Sequence, residues 1–139
     1  MGARTAGAVA ADLAVSSPPG PPLPTNRTVP VADRDALQQA MSAYAGIGRD
    51  ATGLAAAAAI ATGTRRRPLR TPADTEDTGL TLAAAAVLAA ATARTESRGC
   101  HLRIDFPRTA PEWRRSIAVT LDDAGAPVAA ELVRLGGAA

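Results

Sequence analysis

The chain has 139 residues, which is enough for one ordinary domain or for part of a larger protein. Its hydrophobic content is 47%, but only 2% of the residues are aromatic, and alanine supplies most of the apolar side chains. An alanine core buries little area per residue, so we expect marginal stability for the isolated chain. The net charge of +2 argues against a nucleic-acid-binding domain, and the single cysteine excludes an internal disulfide. Because neither a secretion signal nor a membrane-spanning apolar run is visible, we expect a soluble cytoplasmic protein.

The first 32 residues predict a short helix and a proline-rich linker. Residues 2–15 are rich in alanine and glycine, so we expect a helix whose small side chains pack closely against a larger neighbour. Six of the eleven prolines lie in residues 16–30 and exclude a helix there, which predicts an extended linker. The predicted boundaries are 1–15 for the helix, 16–32 for the linker and 33–139 for the main domain.

A long amphipathic helix is predicted to begin at Asp33, a favourable N-cap residue. Gly46, Gly48 and Gly53 weaken this helix, and we expect them where another element approaches closely. Their spacing does not match a dinucleotide-binding loop, because the preceding strand, the third glycine and the later acidic residue are missing. Apolar residues recur every three or four positions and define one helical face: Leu37, Met41, Tyr44, Ile47, Ala51, Leu54 and Ala58.

Gly63 ends this pattern, and the basic run 64–72 predicts a solvated loop. Its arginines could contact RNA or an anionic lipid, but no aromatic residues are interleaved with them. A second long helix is predicted from Thr75 or Thr78 to Arg98. Its inner face is expected to consist of Leu80, Ala84, Val87, Leu88 and Ala91.

The segment richest in chemical groups, residues 95–107, follows at the end of this helix. An arginine in the last turn, Arg98, and a glycine beyond it, Gly99, are typical of a helix C-terminus. Residues 101–106 then alternate between polar and apolar side chains, which predicts a short strand that ends at Pro107.

Most polar groups of this segment are expected to be structural. His101 is the only histidine, so no metal site can be built around it, and no nucleophile with a base accompanies it. We expect His101 to donate a hydrogen bond across the corner between helix and strand. Glu96 and Arg98 are expected to form ion pairs that hold this corner to neighbouring protein. Cys100 is expected to be a small buried side chain.

The remaining residues predict a small β element. Residues 111–115 are typical of a turn or a short helix, and residues 117–121 and 127–135 flank a turn sequence at 122–125. The second arm of this hairpin could also be helical. The predicted fold class is mainly α: an antiparallel helical bundle, with two long helices and an N-terminal helix, and a small peripheral β-hairpin.

The segment 95–107 resembles the carboxy-terminal region of the flavoproteins related to succinate dehydrogenase, fumarate reductase and L-aspartate oxidase. That family has Glu-Ser-Arg-Gly-small-His at this corner, followed by a basic residue, an Asp and a Pro. Residues 36–54 are similar to the first helix of the carboxy-terminal bundle in the L-aspartate oxidase branch, and residues 2–14 to the last helix of the flavin-binding domain. The residues that match the corner motif are Glu96, Ser97, Arg98, Gly99, His101 and Asp105.

The resemblance implies FAD-dependent oxidation of L-aspartate to iminoaspartate, the first step towards quinolinate and NAD. It also implies that the flavin-binding fold and the catalytic residues lie upstream of this chain. The chain is then expected to be the carboxy-terminal quarter of a flavoprotein, from a truncated or mis-started reading frame, with a structural role. No catalytic, cofactor-binding or metal-binding residue is expected in it, and no FAD is expected to bind to the chain alone. The implied partner is the flavin-binding domain of the full-length enzyme, without nucleic acid or membrane.

Two alternatives remain open at this point. The first is the equivalent domain of a succinate dehydrogenase or fumarate reductase flavoprotein, which also places a Trp after the Pro, as Trp113 follows Pro107 here. Against it, residues 108–111 replace the acidic string of those relatives. The second is a free-standing helical interaction module, which would fold without a flavin domain.

Overall fold

A computed structural model of the chain describes residues 28–129. The predicted helix at 2–15 and most of the predicted linker lie outside this range. Three α-helices carry most of the regular structure: α1 (Arg34–Tyr44), α2 (Ala51–Thr62) and α3 (Pro72–Ala93). The mainly α class with small strands is therefore confirmed. No helix within residues 28–129 is long and apolar enough to cross a bilayer.

The described strands are short and form two-stranded pairs. They are β1 (Thr28–Val31), β2 (Gly48–Arg49), β3 (Arg65–Pro68), β4 (Leu102–Arg103), β5 (Val119–Leu121) and β6 (Pro127–Ala129). β1 pairs with β3 and β5 with β6, both antiparallel, whereas β2 and β4 are parallel. A 3-10 turn at Pro111–Trp113 and the β5–β6 hairpin confirm the short elements predicted for the end of the chain.

The single long helix predicted from Asp33 is wrong, because the chain forms two helices there. Asp33 does cap α1, accepting a hydrogen bond from the Ala36 backbone N–H. A second cap at Asp50 accepts from the Gly53 N–H at 2.7 Å and begins α2. The break contains β2, whose partner β4 lies more than 50 residues further along the chain. Ile47, predicted to lie on the inner face, is 87% exposed in this break.

Two of the glycines in this region lie where another side chain approaches closely, as predicted. A Cβ at Gly48 would lie 3.1 Å from Cδ1 of Ile104, and one at Gly53 would lie 3.0 Å from Cδ1 of Tyr44. Ordinary side chains at these positions would force Ile104 or Tyr44 to move.

The basic run after α2 forms a strand, so the solvated loop predicted there is wrong. β3 pairs with β1, whose alternate residues Val29 and Val31 are buried. The three arginines of β3 remain exposed. The last residues of the predicted linker therefore form part of the packed structure.

Helix α3 begins and ends earlier than predicted. Thr71 caps it and forms a capping box with Asp74, and Pro72 occupies the first helical turn. Arg94, the C-cap, has extended backbone angles, so Arg98 lies outside the helix. Leu80 and Val87, predicted for the inner face, are 40% and 48% exposed.

The apolar core lies between the three helices and is made almost entirely of alanine and leucine. Thr81 adjoins it: its hydroxyl donates to the Asp77 carbonyl at 2.8 Å and accepts from the Ala32 N–H at 3.0 Å. The buried core residues are Ala32, Leu37, Ala40, Leu54, Ala57, Ala61, Ala84, Leu88 and Ala91. Three leucines therefore supply most of its buried area.

Candidate functional site

The residues that match the family motif lie together in one polar cluster at the end of α3. We call this cluster the ionic corner; it consists of residues 94–110 together with Arg49. Its segment leaves α3, turns, pairs with β2 through β4, and returns to the 3-10 turn.

Glu96 is the centre of the first half of the ionic corner. Its side chain has no exposed surface, and Oε1 accepts from Arg94 Nη1 at 2.6 Å and from Arg98 Nε at 2.8 Å. The other oxygen, Oε2, accepts from Arg98 Nη2 at 3.0 Å and from the Ala110 N–H at 2.8 Å. The hydrogen bonds from Arg98, with those from Ala110 and Arg94, outweigh burial and lower the pKa of Glu96 to about 2.

Arg103 is the centre of the second half and is 2% exposed. Its guanidinium donates to both oxygens of Asp105, at 2.8 and 2.7 Å, and the hydrogen bonds from Arg103 lower the pKa of Asp105 to about 2. Its Nη1 donates to the carbonyls of Ala91 and Arg94 at 2.9 and 3.1 Å. Arg103 therefore satisfies carbonyls at the C-terminus of α3, where a positive charge is favourable.

Asp105 connects the ionic corner to a second helix. Its Oδ2 accepts from the Ala51 N–H at 3.0 Å, at the N-terminus of α2. A carboxylate is favourable at that end of a helix, as a guanidinium is at the C-terminus of α3. The Arg103–Asp105 pair thus joins two helix ends of opposite partial charge.

His101 lies between the two halves, and both of its ring nitrogens are hydrogen-bonded. Arg49 Nη1 lies 2.8 Å from Nδ1, and because arginine only donates, Nδ1 must be the acceptor. Nε2 then carries the hydrogen and faces the Arg94 carbonyl at 3.3 Å. Burial lowers the pKa of His101, and the nearby guanidinium groups lower it further.

Two small residues set the backbone path of the segment. Gly99 has φ of +58° in a tight turn closed by reciprocal backbone hydrogen bonds between Arg98 and His101. A glycine is required by that conformation, and it belongs to this turn rather than to the end of α3. The Ser97 hydroxyl accepts from the Arg103 N–H at 2.8 Å and lies 2.9 Å from the Phe106 carbonyl. Cys100, predicted to be buried, is exposed in the same turn.

Arg94 extends the network to the 3-10 turn. Besides Glu96, it donates to the carbonyls of Trp113 at 2.9 Å and Arg115 at 2.6 Å. Its guanidinium also lies 5.6 Å from the centre of the Trp113 ring. The network was only partly predictable: the hydrogen bonds of Arg49, Arg94 and Arg103 and the burial of Arg103 were not anticipated.

The charged groups of the ionic corner are bonded mainly to one another and to the backbone. Glu96 and Asp105 remain ionised at neutral pH and cannot act as general acids there. His101 has no free ring nitrogen for a substrate, and its hydrogen bonds connect it to an arginine and a carbonyl rather than to a nucleophile. Within residues 28–129, no group of three or more His, Cys, Asp or Glu side chains could hold a metal ion.

The N-terminus of α2 does not fit the phosphates of a dinucleotide cofactor such as FAD. The loop before α2 contains Gly46 and Gly48, but carboxylates already accept from the N–H groups at the start of this helix. Those carboxylates, Asp50 and Asp105, occupy the place of a phosphate and would repel one. We therefore derive no chemical step through a cofactor from these residues.

Comparisons with known proteins agree with the motif. Residues 73–135 match the family described as the fumarate reductase flavoprotein C-term. This segment therefore resembles that carboxy-terminal domain. The resemblance to the carboxy-terminal region of L-aspartate oxidase is confirmed as well, because relatives with that name are 41–48% identical to this flavoprotein domain.

The relative from Mycobacterium tuberculosis strain H37Rv, an L-aspartate oxidase, is 48% identical over 102 residues, which are 73% of this chain and 19% of the relative. An L-aspartate oxidase of Rhodospirillum rubrum is 43% identical over 101 residues, or 68% of this chain and 34% of the relative. The L-aspartate oxidase of Caulobacter vibrioides is 41% identical over 129 residues, which cover 88% of this chain and 22% of the relative. The chain thus spans between about a fifth and a third of the length of these relatives. No solved structure is significantly similar to it.

Proposed function

We propose that the chain supplies the carboxy-terminal helical domain of an L-aspartate oxidase. The complete enzyme would carry out the FAD-dependent oxidation of L-aspartate to iminoaspartate in the cytoplasm, at the start of the quinolinate route to NAD. The observation that carries this proposal is the name shared by the relatives, together with 44–48% identity to the mycobacterial ones. FAD and L-aspartate would bind to other parts of that enzyme.

The role of the domain itself is to scaffold and dock, without catalysis. This is supported by the ionic corner, whose buried charges are paired with one another rather than directed at a ligand. The partner we infer is the flavin-binding domain of the same enzyme. We also infer that α2 packs antiparallel to α1, and α3 antiparallel to α2. Short connections join these consecutive helices, and in helical bundles such connections place neighbouring helices antiparallel.

The equivalent domain of a succinate dehydrogenase or fumarate reductase flavoprotein is a second candidate. The family description names fumarate reductase, and the resemblance places a Trp after the Pro, as in this chain. Here the guanidinium groups of Arg94 and Arg115 lie 5.6 and 5.8 Å from the centre of the Trp113 ring. The substrate used by a reconstituted enzyme separates the two candidates.

A chimeric enzyme tests the proposal. This chain replaces the segment with which it aligns in the M. tuberculosis L-aspartate oxidase, and flavin content and substrate-dependent peroxide formation are measured. We expect bound FAD and oxidation of L-aspartate but not of succinate. A well-folded chimera that lacks flavin, or that oxidises succinate, would contradict the assignment.

The chain alone provides the complementary measurement. Purified full-length chain, incubated with FAD and dialysed, should retain no flavin absorbance and form no peroxide with L-aspartate. Retained flavin would show that residues of this chain hold the cofactor, contrary to the proposed division of roles.

A further inference from the structure

Besides Leu102, which is 42% exposed, the ionic corner and the adjoining loop carry three exposed apolar side chains: Ile47, Ile104 and Phe106. Their exposed fractions are 87%, 63% and 41%. Ile104 lies beside the backbone that follows Ile47, because its N–H donates to the Arg49 carbonyl at 2.7 Å and its Cδ1 approaches Gly48. We call these three residues the isoleucine face.

The isoleucine face inverts the usual distribution of side chains. In the same short segment the charged residue Arg103 is buried, whereas the apolar residues on either side of it, Leu102 and Ile104, are exposed. The β2–β4 pair and the Arg103–Asp105 pair hold these apolar residues between α2 and α3. The apolar surface is therefore presented on a rigid backbone, which reduces the entropic cost of docking.

We propose that the isoleucine face is the surface on which the flavin-binding domain of the same enzyme docks. This inference rests on the proposed function. The chain spans 19% of the M. tuberculosis relative, so about four fifths of that enzyme is protein joined covalently to the matching region. A covalently joined partner is present at high effective concentration, and a modest apolar face is enough to hold it.

Charge further specifies this partner surface. The charges of Glu96 and Asp105 are compensated by arginines within the ionic corner, whereas Arg98 and Arg108 are exposed on the same segment. The surroundings of the isoleucine face are therefore basic. The docked surface of the flavin-binding domain should have an apolar centre with acidic residues at its rim.

Two substitutions test the face in the chimeric enzyme described above. Ile104→Asp and Ile47→Asp place a charge on the isoleucine face, whereas the control, Leu121→Asp, changes a leucine of β5 that is 58% exposed. In the full-length chain alone, all three variants should give the circular dichroism spectrum of the unsubstituted chain. Ile47→Asp guards against unfolding, because almost the whole side chain already lies in solvent.

In the chimera, both isoleucine variants should release flavin at a lower temperature than the control. Amide hydrogen exchange of residues 102–106 should also accelerate by about tenfold or more, while Leu121→Asp leaves it unchanged. If an active chimera responds equally to all three variants, the docking face is wrong and the proposed function stands. If the unsubstituted chimera lacks flavin and activity, the proposed function fails and this inference fails with it.

A second copy of the chain is the competing occupant of the face. Sedimentation of the full-length chain should show a monomer. A dimer that Ile104→Asp converts to a monomer would assign the face to self-association and overturn the proposal.

Discussion

The helical core and the ionic corner are both buried, but they are held together by different interactions. The core consists of three leucines and six alanines, whose contributions are small, additive and without direction. The ionic corner buries Glu96 and Arg103, whose hydrogen bonds have fixed directions and whose removal leaves an unpaired charge. Apolar packing therefore holds the helices together weakly. The hydrogen bonds of the ionic corner determine the backbone geometry at the end of α3, where we propose that the flavin-binding domain docks.

The largest effect on stability should come from removing the cation of the second half of the ionic corner. Arg103→Met leaves Asp105 without its partner and frees the carbonyls at the end of α3. We expect a loss of more than about 3 kcal/mol in the free energy of unfolding, measured by urea denaturation, because at least two carbonyls lose their donor at about 1–3 kcal/mol each. The control Arg65→Met, on the exposed strand β3, should change it by less than about 0.5 kcal/mol. Equal midpoints for the two variants would show that the ionic corner does not stabilise the fold.

A slightly smaller loss of stability is expected when a core leucine is shortened to alanine. Leu54 has no exposed surface, and Leu54→Ala leaves a cavity among alanines that cannot fill it. We expect a loss of about 3 kcal/mol, within the range for buried leucines, by the same urea denaturation. Leu82→Ala, at a position 43% exposed on α3, is the matched control and should cost much less. If the two variants unfold at the same urea concentration, the three leucines are not the main support of the core.

The sequence predicted the elements whose signals are local. Asp33 caps α1, Gly63 follows the last residue of α2, and the 122–125 turn joins two strands, all as predicted. The start of α3 was missed although its signal is local, because Thr71 and Asp74 have the spacing of a capping box in the sequence.

The remaining differences depend on contacts between distant residues. The break between α1 and α2 exists because β2 pairs with β4, and no local pattern near Gly48 contains that information. The alternation at 101–106 was recognised, but alternation alone does not show which side faces inward. Arg103 faces inward because it donates to the carbonyls at the end of α3, and its partner Asp105 accepts from the Ala51 N–H at the start of α2.

Acid should destabilise the ionic corner more than the core. The pKa values of Glu96 and Asp105 are about 2 in the folded chain, below their ordinary values of 4.5 and 3.8. Their contribution to stability is complete above the ordinary values and is lost as the pH falls towards 2. We expect the melting temperature to fall steeply between about pH 4.5 and pH 2, and less steeply in Glu96→Gln. Asp123→Asn, in the exposed hairpin turn, should follow the unsubstituted chain, and a curve of the same slope for Glu96→Gln would argue against this role.

The smallest expected change in stability comes from protonation of His101 and occurs closer to neutral pH. Its pKa in the folded chain lies below the ordinary 6.5, so the unfolded chain binds a proton more readily than the folded one. The sign is therefore a loss of stability as the pH falls below about 6.5, since protonation removes the acceptor that Arg49 uses. We expect the melting temperature to fall by about 2–4 °C between pH 7.5 and pH 5.5, and to remain nearly constant in His101→Gln.

The chain is well suited to this last measurement, because it has one histidine and no other side chain ordinarily titrates in that range. Hydrogen exchange locates the effect: at pH 5.5, after correction for intrinsic rates, the amides of residues 102–104 should lose protection while those of residues 84–91 keep it. Such a result would show that the ionic corner opens independently of the helical core, and that the geometry of the proposed docking end can change while the helices remain folded. Equal losses of amide protection in both regions would instead show that the ionic corner and the helical core unfold together as one cooperative unit.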